Sequence, residues 1–520
     1  MPQQKPRLVL AGPGAGKTHG MVDEIIAALD RLTPHRHLAA ITYTNAAANM
    51  IREHLWRRVP PRRNVFIGTT HSFISRFILQ PFATVFEKLP PERIYGAIDV
   101  YDMATKGVTK KLDPKKLHGA AAGIRKALLG KGVVPYDAML PIAMEILEIG
   151  MVRELVAGRL QFLVVDEFQD TDTRQLKILD ALRRPSLTEV YAVGDPEQYI
   201  MGFTYGERWQ RPPAFSNLPF FQFQQKAAVS KLLKNRRANG ELVAFAQQFR
   251  DDLTQEPEKP LRGAPRVLYL EPTDIAEIIM QFRGVSAHVE GEESRPSRLY
   301  LSSANKTFDN LSIRIQFGII PVSNTSRKSP TLLGDALDLL ALALGRSQRR
   351  AQEDFQLSPL AWRRVGVMLL RKAREESFDD RAFVMFVKEE FRGEEVSDSR
   401  IQPVQDALLQ LQGVIAAGFT GSQLERCSSI HRAKGLEADA VLVVAATPSE
   451  LTKWLTVDRA ARAADKQDTC RVGYVAFTRA REMLCLACLK PLDDKTRKLV
   501  IDRGITFLPS QGVSDGLMLY

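Results

Sequence analysis

Leu8-Val9-Leu10-Ala11-Gly12-Pro13-Gly14-Ala15-Gly16-Lys17-Thr18-His19 is a short apolar run that feeds a glycine-rich loop ending in Gly-Lys-Thr. A strand opening into such a loop ahead of a helix is a phosphate-binding loop. Its glycines turn successive backbone N–H groups toward a polyphosphate, its lysine reaches the outer phosphates, and the following hydroxyl holds Mg²⁺. Gly14, Gly16, Lys17 and Thr18 fit those places. The first glycine of the G-x-x-x-x-G-K pattern is Ala11 here. The context is nonetheless that of the motif, because Met21, Ile25, Ile26 and Leu29 follow at helical spacing. Residues 11–19, from Ala11 through Gly12, Pro13, Gly14, Ala15, Gly16, Lys17 and Thr18 to His19, are therefore expected to wrap a nucleotide's phosphates.

Outward from this loop, apolar runs alternate with helical periods. Runs at 8–10, 38–42, 65–68, 162–165 and 190–193 are followed by helical patterns from about 20 and at 45–55, 72–79 and 173–182. That alternation predicts βαβ units and a parallel sheet. A second set of apolar runs lies at 298–301, 440–444 and 484–486. Between the sets are two mainly helical stretches, one basic between Lys106 and Lys131, the other carrying Leu332, Ala336, Leu339, Leu340 and Ala343 at helical spacing.

With 520 residues, 45% of them hydrophobic, the chain is long enough for two to four domains, each with its own core. Lys and Arg number 72 against 60 acids, a net charge of +12, which suits either a polyanionic partner or a generically basic protein. The four cysteines fall at 427, 470, 485 and 488. Cys485 and Cys488 lie in an apolar strand pattern, so they are read as reduced core thiols rather than half of a metal site. The chain enters a core strand by Arg7 and carries no apolar run of membrane-spanning length, which points to a cytoplasmic protein with no membrane partner.

Phe162-Leu163-Val164-Val165-Asp166-Glu167-Phe168-Gln169-Asp170 is an apolar strand ending in adjacent carboxylates. Asp166 is placed to hold Mg²⁺ and Glu167 to activate an attacking water. A further strand, Tyr191-Ala192-Val193-Gly194, ends in Asp195-Pro196-Glu197-Gln198 and brings Gln198 to the same carboxyl edge, where open α/β sheets bind ligands. Arg57, Arg58, Arg62 and Arg63 flank a Pro-Pro turn and read as a backbone-tracking patch or a solvated loop.

Eight segments in order carry a family resemblance: residues 11–18, Thr42-Tyr43-Thr44-Asn45, Gly68-Thr69-Thr70-His71, Val165 to Asp170, Val193 to Gln198, Asn235-Arg236-Arg237, His431 to Glu437, and Tyr474 to Ala480. Together they resemble the signature motifs of UvrD/Rep-like superfamily-one DNA helicases. The resemblance implies an α/β fold of two RecA-like parallel-sheet P-loop NTPase domains, each with a mainly helical insertion. The implied first core is 1–80 with 161–250, its basic insertion 81–160, the second core 251–321 with 421–520, and its short insertion 322–420.

The resemblance further implies ATP and Mg²⁺ as ligands, with Lys17, Asp166, Glu167, Gln198, Arg237 and Arg479 catalytic and Thr18 and Asp166 on the metal. Arg236 would stack on the base, replacing the family's aromatic residue, and Glu437 would approach the ribose. The adenine-reading glutamine found upstream of the loop in the family has only Gln3 or Gln4 to match it. Thr44, Asn45, His71, Phe203 and His431 would contact single-stranded DNA, although Phe203 also suits core packing and His431 a structural role. The implied activity is a DNA-stimulated ATPase and 3′ to 5′ translocase or helicase. The chain's compactness also resembles the UvrD-like subunits of Gabija antiviral systems, which work with a nuclease. That leaves open a regulatory ATPase that senses nucleotide or DNA ends for such a partner.

Overall fold

The computed structural model describes residues 5–82, 94–95, 100–105, 114–202, 214–261, 263–287, 289, 296–303, 307–308, 317, 319–322, 332–346, 348–375, 377–416 and 425–508. The chain divides into two compact units. The first comprises Met1–Val243, Gln247–Pro260 and Thr456–Tyr474; the second comprises Ala244–Ala246, Leu261–Leu455 and Val475–Tyr520. Among the described residues no helix is long and apolar enough to cross a membrane.

The first unit is built on six parallel strands: β1 (Arg7–Ala11), β2 (His37–Thr42), β3 (Val65–Thr69), β4 (Leu160–Val165), β5 (Glu189–Gly194) and β6 (Ala228–Leu232). Their order across the sheet is β3-β2-β4-β5-β1-β6. The central strands are near-continuous apolar runs, and because successive side chains point to opposite faces each strand is buried on both. Leu8 and Leu10 of β1 join Ile41, Leu163 and Val165 in a core closed by Phe73, Phe77 and the helix Tyr136–Glu148. Val9 and Ala11 face the other way, into a core with Phe162 and Val164, covered by α1 (Lys17–Arg31) and α2 (Asn45–Trp56). α1 lays Met21, Val22, Ile25 and Leu29 on that core, the spacing of one helical face.

The second unit holds seven parallel strands: β7 (Val267–Leu270), β8 (Arg298–Ser302), β9 (Ile320–Pro321), β10 (Glu425–Ser429), β11 (Ala438–Ala445), β12 (Ala480–Cys488) and β13 (Thr506–Leu508), ordered β9-β10-β8-β11-β12-β7-β13. Every residue of β11 is buried, as expected of a central strand covered on both faces. Cys427, Cys485 and Cys488 here, and Cys470 in the first unit, are buried and in no disulfide, and burial pushes the Cys485 thiol well up, which keeps it protonated and inert. The helices Leu332–Leu344, Pro359–Lys372, Asp380–Glu390 and Asp398–Ala416 enclose a separate core around Leu340, Trp362, Leu369 and Phe383. The architecture is thus two parallel-sheet α/β domains with helical additions, the first opening on a P-loop.

Candidate functional site

Because all strands of the first sheet run parallel, their carboxyl ends share one edge. Leu10 lies level with Gly194, and Val165 with both Ala192 and Ile41. The P-loop, Asp166–Glu167 and Asp195–Gln198 therefore emerge side by side, where ligands bind in open α/β sheets.

The loop is shaped by glycine where only glycine serves. Gly14 (φ 70°) and Gly16 (φ 77°) occupy the left-handed region, and a Cβ on Gly14 would sit 2.4 Å from Asn235 Oδ1. Helix α1 begins at Lys17, three residues earlier than the apolar spacing suggests. No side chain caps it and no acid occupies its first turn, so its amide donors remain for a phosphate. Ala11 is fully buried at the strand end, and its carbonyl accepts from Lys17 Nζ at 3.3 Å. Burial pushes the Lys17 ammonium below its usual value. Glu167, Asp195 and Asp166 pull it back up and Arg237 presses it down. Three acids and one arginine thus act on Lys17 at the loop, and a nucleotide's phosphates would further favour its charged form.

Glu167 turns off the end of β4 with φ 46°, a left-handed backbone that a side-chain-bearing residue holds only at a cost of about 1–3 kcal/mol. Gln169 Nε2 donates to Glu167 Oε2 at 2.6 Å, while Gln169 Oε1 accepts from the Asp195 N–H at 3.0 Å. One buried amide therefore ties the candidate water-activating carboxylate to the next strand's end. Gln198 is buried, and its Nε2 donates to Asp195 Oδ2 at 2.8 Å.

A second loop clasps the P-loop. Asn235 Nδ2 and Gln255 Nε2 both donate to the Pro13 carbonyl, at 2.9 and 3.1 Å, and the Arg236 N–H donates to Gly14 O at 2.9 Å. Asn235 Oδ1 accepts from the Arg237 N–H at 3.0 Å, and the Arg237 Cβ lies 2.8 Å from where a Gly14 Cβ would be. Arg237 is therefore held beside the phosphate cradle. The Arg236 side chain is exposed and pairs with Glu258 at 3.4 Å. Gln255 has no motif to announce it. Asn235 belongs to the Asn-Arg-Arg motif, yet its bond to Pro13 is visible only in three dimensions.

Thr18 and Asp166 offer a hydroxyl and a carboxylate, the hard oxygen donors Mg²⁺ prefers. Mg²⁺ is usually held by one or two carboxylates together with substrate phosphates and water. Among the described residues no group of three His, Cys, Asp or Glu side chains is set to hold a metal. The donor set fits an ion that shares its coordination with the nucleotide.

Other sequence-predicted residues are more scattered. His19 is exposed on α1, 3.9 Å from Asp23. Thr44 caps α2, its hydroxyl accepting from the Ala47 N–H at 3.1 Å, and Asn45 is exposed at the helix start. His71 packs edge-on against the ring of Tyr136, centroids 4.8 Å apart. Phe203, Gln3 and Gln4 lie outside the described residues, as does the basic stretch from Lys106 to Asp113. The arginine patch is only partly available: Arg58 bonds Asp23 at 2.5 Å and Arg62 donates to Leu29 O at 3.2 Å, so these two act as staples to α1.

In the second unit, Arg479 is 3% exposed and donates to the carbonyls of Val475 at 2.9 Å and Leu436 at 3.4 Å. Glu437 lies 3.8 Å from Arg481. Burial and Lys434 hold His431 below its usual value, so it is a neutral imidazole at pH 7.

An AAA domain family matches residues 1–204. The Gabija protein GajB of Bacillus cereus (strain VD045) is 29% identical over 214 residues, covering 41% of this chain and 40% of GajB. The ATP-dependent DNA helicase PcrA of Bacillus subtilis (strain 168) is 24% identical over 288 residues, 47% of this chain and 37% of PcrA. The ATP-dependent DNA helicase Rep of Escherichia coli (strain K12) is 27% identical over 281 residues, 46% of this chain and 40% of Rep. The chain thus spans about two fifths of the length of these relatives. Its first 204 residues, which hold the P-loop, match the AAA domain family, and the chain is similar to the UvrD/Rep-like DNA helicases PcrA and Rep and to GajB.

Proposed function

We propose that this chain hydrolyses ATP in a cycle stimulated by single-stranded DNA and moves 3′ to 5′ along the strand as a translocase or helicase. The observation that carries this reading is the convergence of Lys17, Asp166, Glu167, Asp195 and Arg237 around an uncapped helix start. Similarity to the DNA helicases PcrA and Rep supports DNA as the partner, and the 3′ to 5′ direction is what the resemblance of the eight motifs to UvrD/Rep-like helicases implies.

In this reading the backbone N–H groups of 14–18 and the Lys17 ammonium cradle the β- and γ-phosphates. Mg²⁺, held by Thr18 and Asp166, would neutralise charge on the phosphate oxygens. Glu167 orients the attacking water and accepts its proton, Gln198 senses the γ-phosphate, and Arg237 and Arg479 stabilise charge on the transferring group. Arg236 stacks on the base and Glu437 meets the ribose. Thr44, Asn45, His71, Phe203 and His431 line the DNA path, the hydroxyl, amide and imidazole groups for phosphates and the aromatic ring for bases. The protein works in the cytoplasm, in DNA repair or antiphage defence, with a nuclease as partner. Its cores are 1–80 with 161–250 and 251–321 with 421–520.

The match to GajB favours a second reading, a regulatory ATPase that senses nucleotide or DNA ends for a nuclease and unwinds little. Strand displacement from partial duplexes separates the two. ATP-dependent release from a duplex with a 3′ tail, and much less from one with a 5′ tail, is expected. Preference for the 5′ tail would overturn the polarity. Brisk DNA-stimulated hydrolysis with no displacement from either substrate would overturn the unwinding reading in favour of the second.

A further inference from the structure

Segment 195–202, which leads away from the candidate γ-phosphate sensor, is tied to residues more than 250 positions later by two buried polar chains. In the first, Asp195 Oδ2 accepts from Gln198 at 2.8 Å and from Arg250 NH1 at 3.2 Å, and the same Arg250 nitrogen lies 3.0 Å from Tyr474 Oη. In the second, Glu197 pairs with Arg462 at 2.5 Å and lies 4.0 Å from Arg471. Arg471 NH1 donates to Asp468 Oδ1 at 3.0 Å, and Asp468 Oδ2 accepts the Gly202 N–H at 2.7 Å. Asp195, Glu197, Arg250, Arg462, Asp468 and Arg471 are each 8% exposed or less.

Buried ion pairs are poor devices for stability alone, since apolar residues of similar volume do as well or better. Three acids and three arginines at one place therefore call for another role. Their placement supplies one. Gly202 and Phe215 are both gripped by one short segment, Asp468 to Arg471. Asp468 holds the Gly202 N–H, while the Arg471 guanidinium stacks over the Phe215 ring, 3.5 Å from its centroid. A Cβ on Gly202 would meet Asp468 Oδ2 at 2.4 Å and the Lys466 carbonyl at 2.9 Å, so glycine is needed for the approach. The gripping segment continues without a break into the helix Thr469–Phe477, which leads directly to Thr478 and Arg479.

We propose that Asp468 and Arg471 are positioning residues that couple the Gln198 segment to the helix preceding Arg479, so that DNA binding speeds hydrolysis through this strut. This rests on the reading of the chain as a DNA-stimulated ATPase. Neither residue touches nucleotide; each acts by fixing where 195–202 and 215 stand relative to helix 469–477.

The test is steady-state ATP hydrolysis by the full chain across a titration of single-stranded oligonucleotide, for wild type, Gly202→Ala and Asp468→Asn, with thermal unfolding recorded for each. Gly202→Ala is expected to lower the maximal DNA-stimulated rate at least tenfold while the DNA-free rate stays within twofold and the half-saturating DNA concentration changes little. Asp468→Asn keeps an acceptor for the Gly202 N–H but weakens the pairing with Arg471, so a smaller loss of the same kind is expected. Full stimulation in both variants would overturn the strut. So would equal loss of DNA-free and stimulated rates with a lowered unfolding temperature, which marks a merely structural role. A wild type that hydrolyses ATP without responding to DNA would instead overturn the reading beneath it.

Discussion

Replacing Glu167 by glutamine is expected to lower ATP turnover by about 10²- to 10⁴-fold, the usual contribution of a positioned general base, while nucleotide binding survives. The isosteric amide keeps an oxygen that can accept from Gln169 Nε2, so the left-handed turn at residue 167 and the link to Asp195 are preserved. Only the ability to take a proton from water is removed. Lys17 feels Glu167 as the largest of its charged neighbours, and losing that charge presses its ammonium further down. Bound phosphates supply negative charge in its place. Fluorescent-nucleotide titration beside a single-turnover hydrolysis assay separates the two effects. A variant that hydrolyses ATP at near the original rate would remove Glu167 from the chemistry.

The other large effect is expected at Arg237. Its removal as Arg237→Ala should reduce the hydrolysis rate by about 10³- to 10⁵-fold, the range for a guanidinium that stabilises charge on a transferring phosphoryl group. Arg237→Lys should recover little of it, because an ammonium cannot reproduce the planar fork of donors. The geometric reason is the clasp. The Arg237 N–H is fixed by Asn235, whose other amide end holds Pro13 O, so the arginine moves with the phosphate cradle. A rate loss matched by an equal loss of nucleotide affinity would reassign Arg237 to ground-state binding.

Much of the first sheet was legible because its central strands are apolar runs followed by helical periods. β6 escaped that reading for a physical reason: Ala228–Leu232 is an edge strand with four exposed residues and one half-buried, so it has no apolar pattern to show. Glu425–Ser429 escaped because Cys427 and Ser429 are its only buried residues. The start of α1 was placed late because Lys17 and Thr18 read as loop chemistry, and they are also the helix's first turn.

The site divides in the same way. Lys17, Asp166, Glu167 and Gln198 sit at strand ends, so the sheet that positions them also displays them in sequence. Gln169, Gln255, Asp468 and Arg471 act through contacts with distant segments, and such contacts leave no local pattern. His19 follows Thr18 in sequence, and its exposed side chain lies 3.9 Å from Asp23 on the same helix.

Hydrolysis of ATP by the purified chain, measured with and without single-stranded DNA at fixed ionic strength, tests the central claim most directly. A rate that rises several-fold and saturates with DNA, and that is abolished in Glu167→Gln at every DNA concentration, is the result expected. Hydrolysis that is indifferent to DNA, or that persists in Glu167→Gln, would contradict the account.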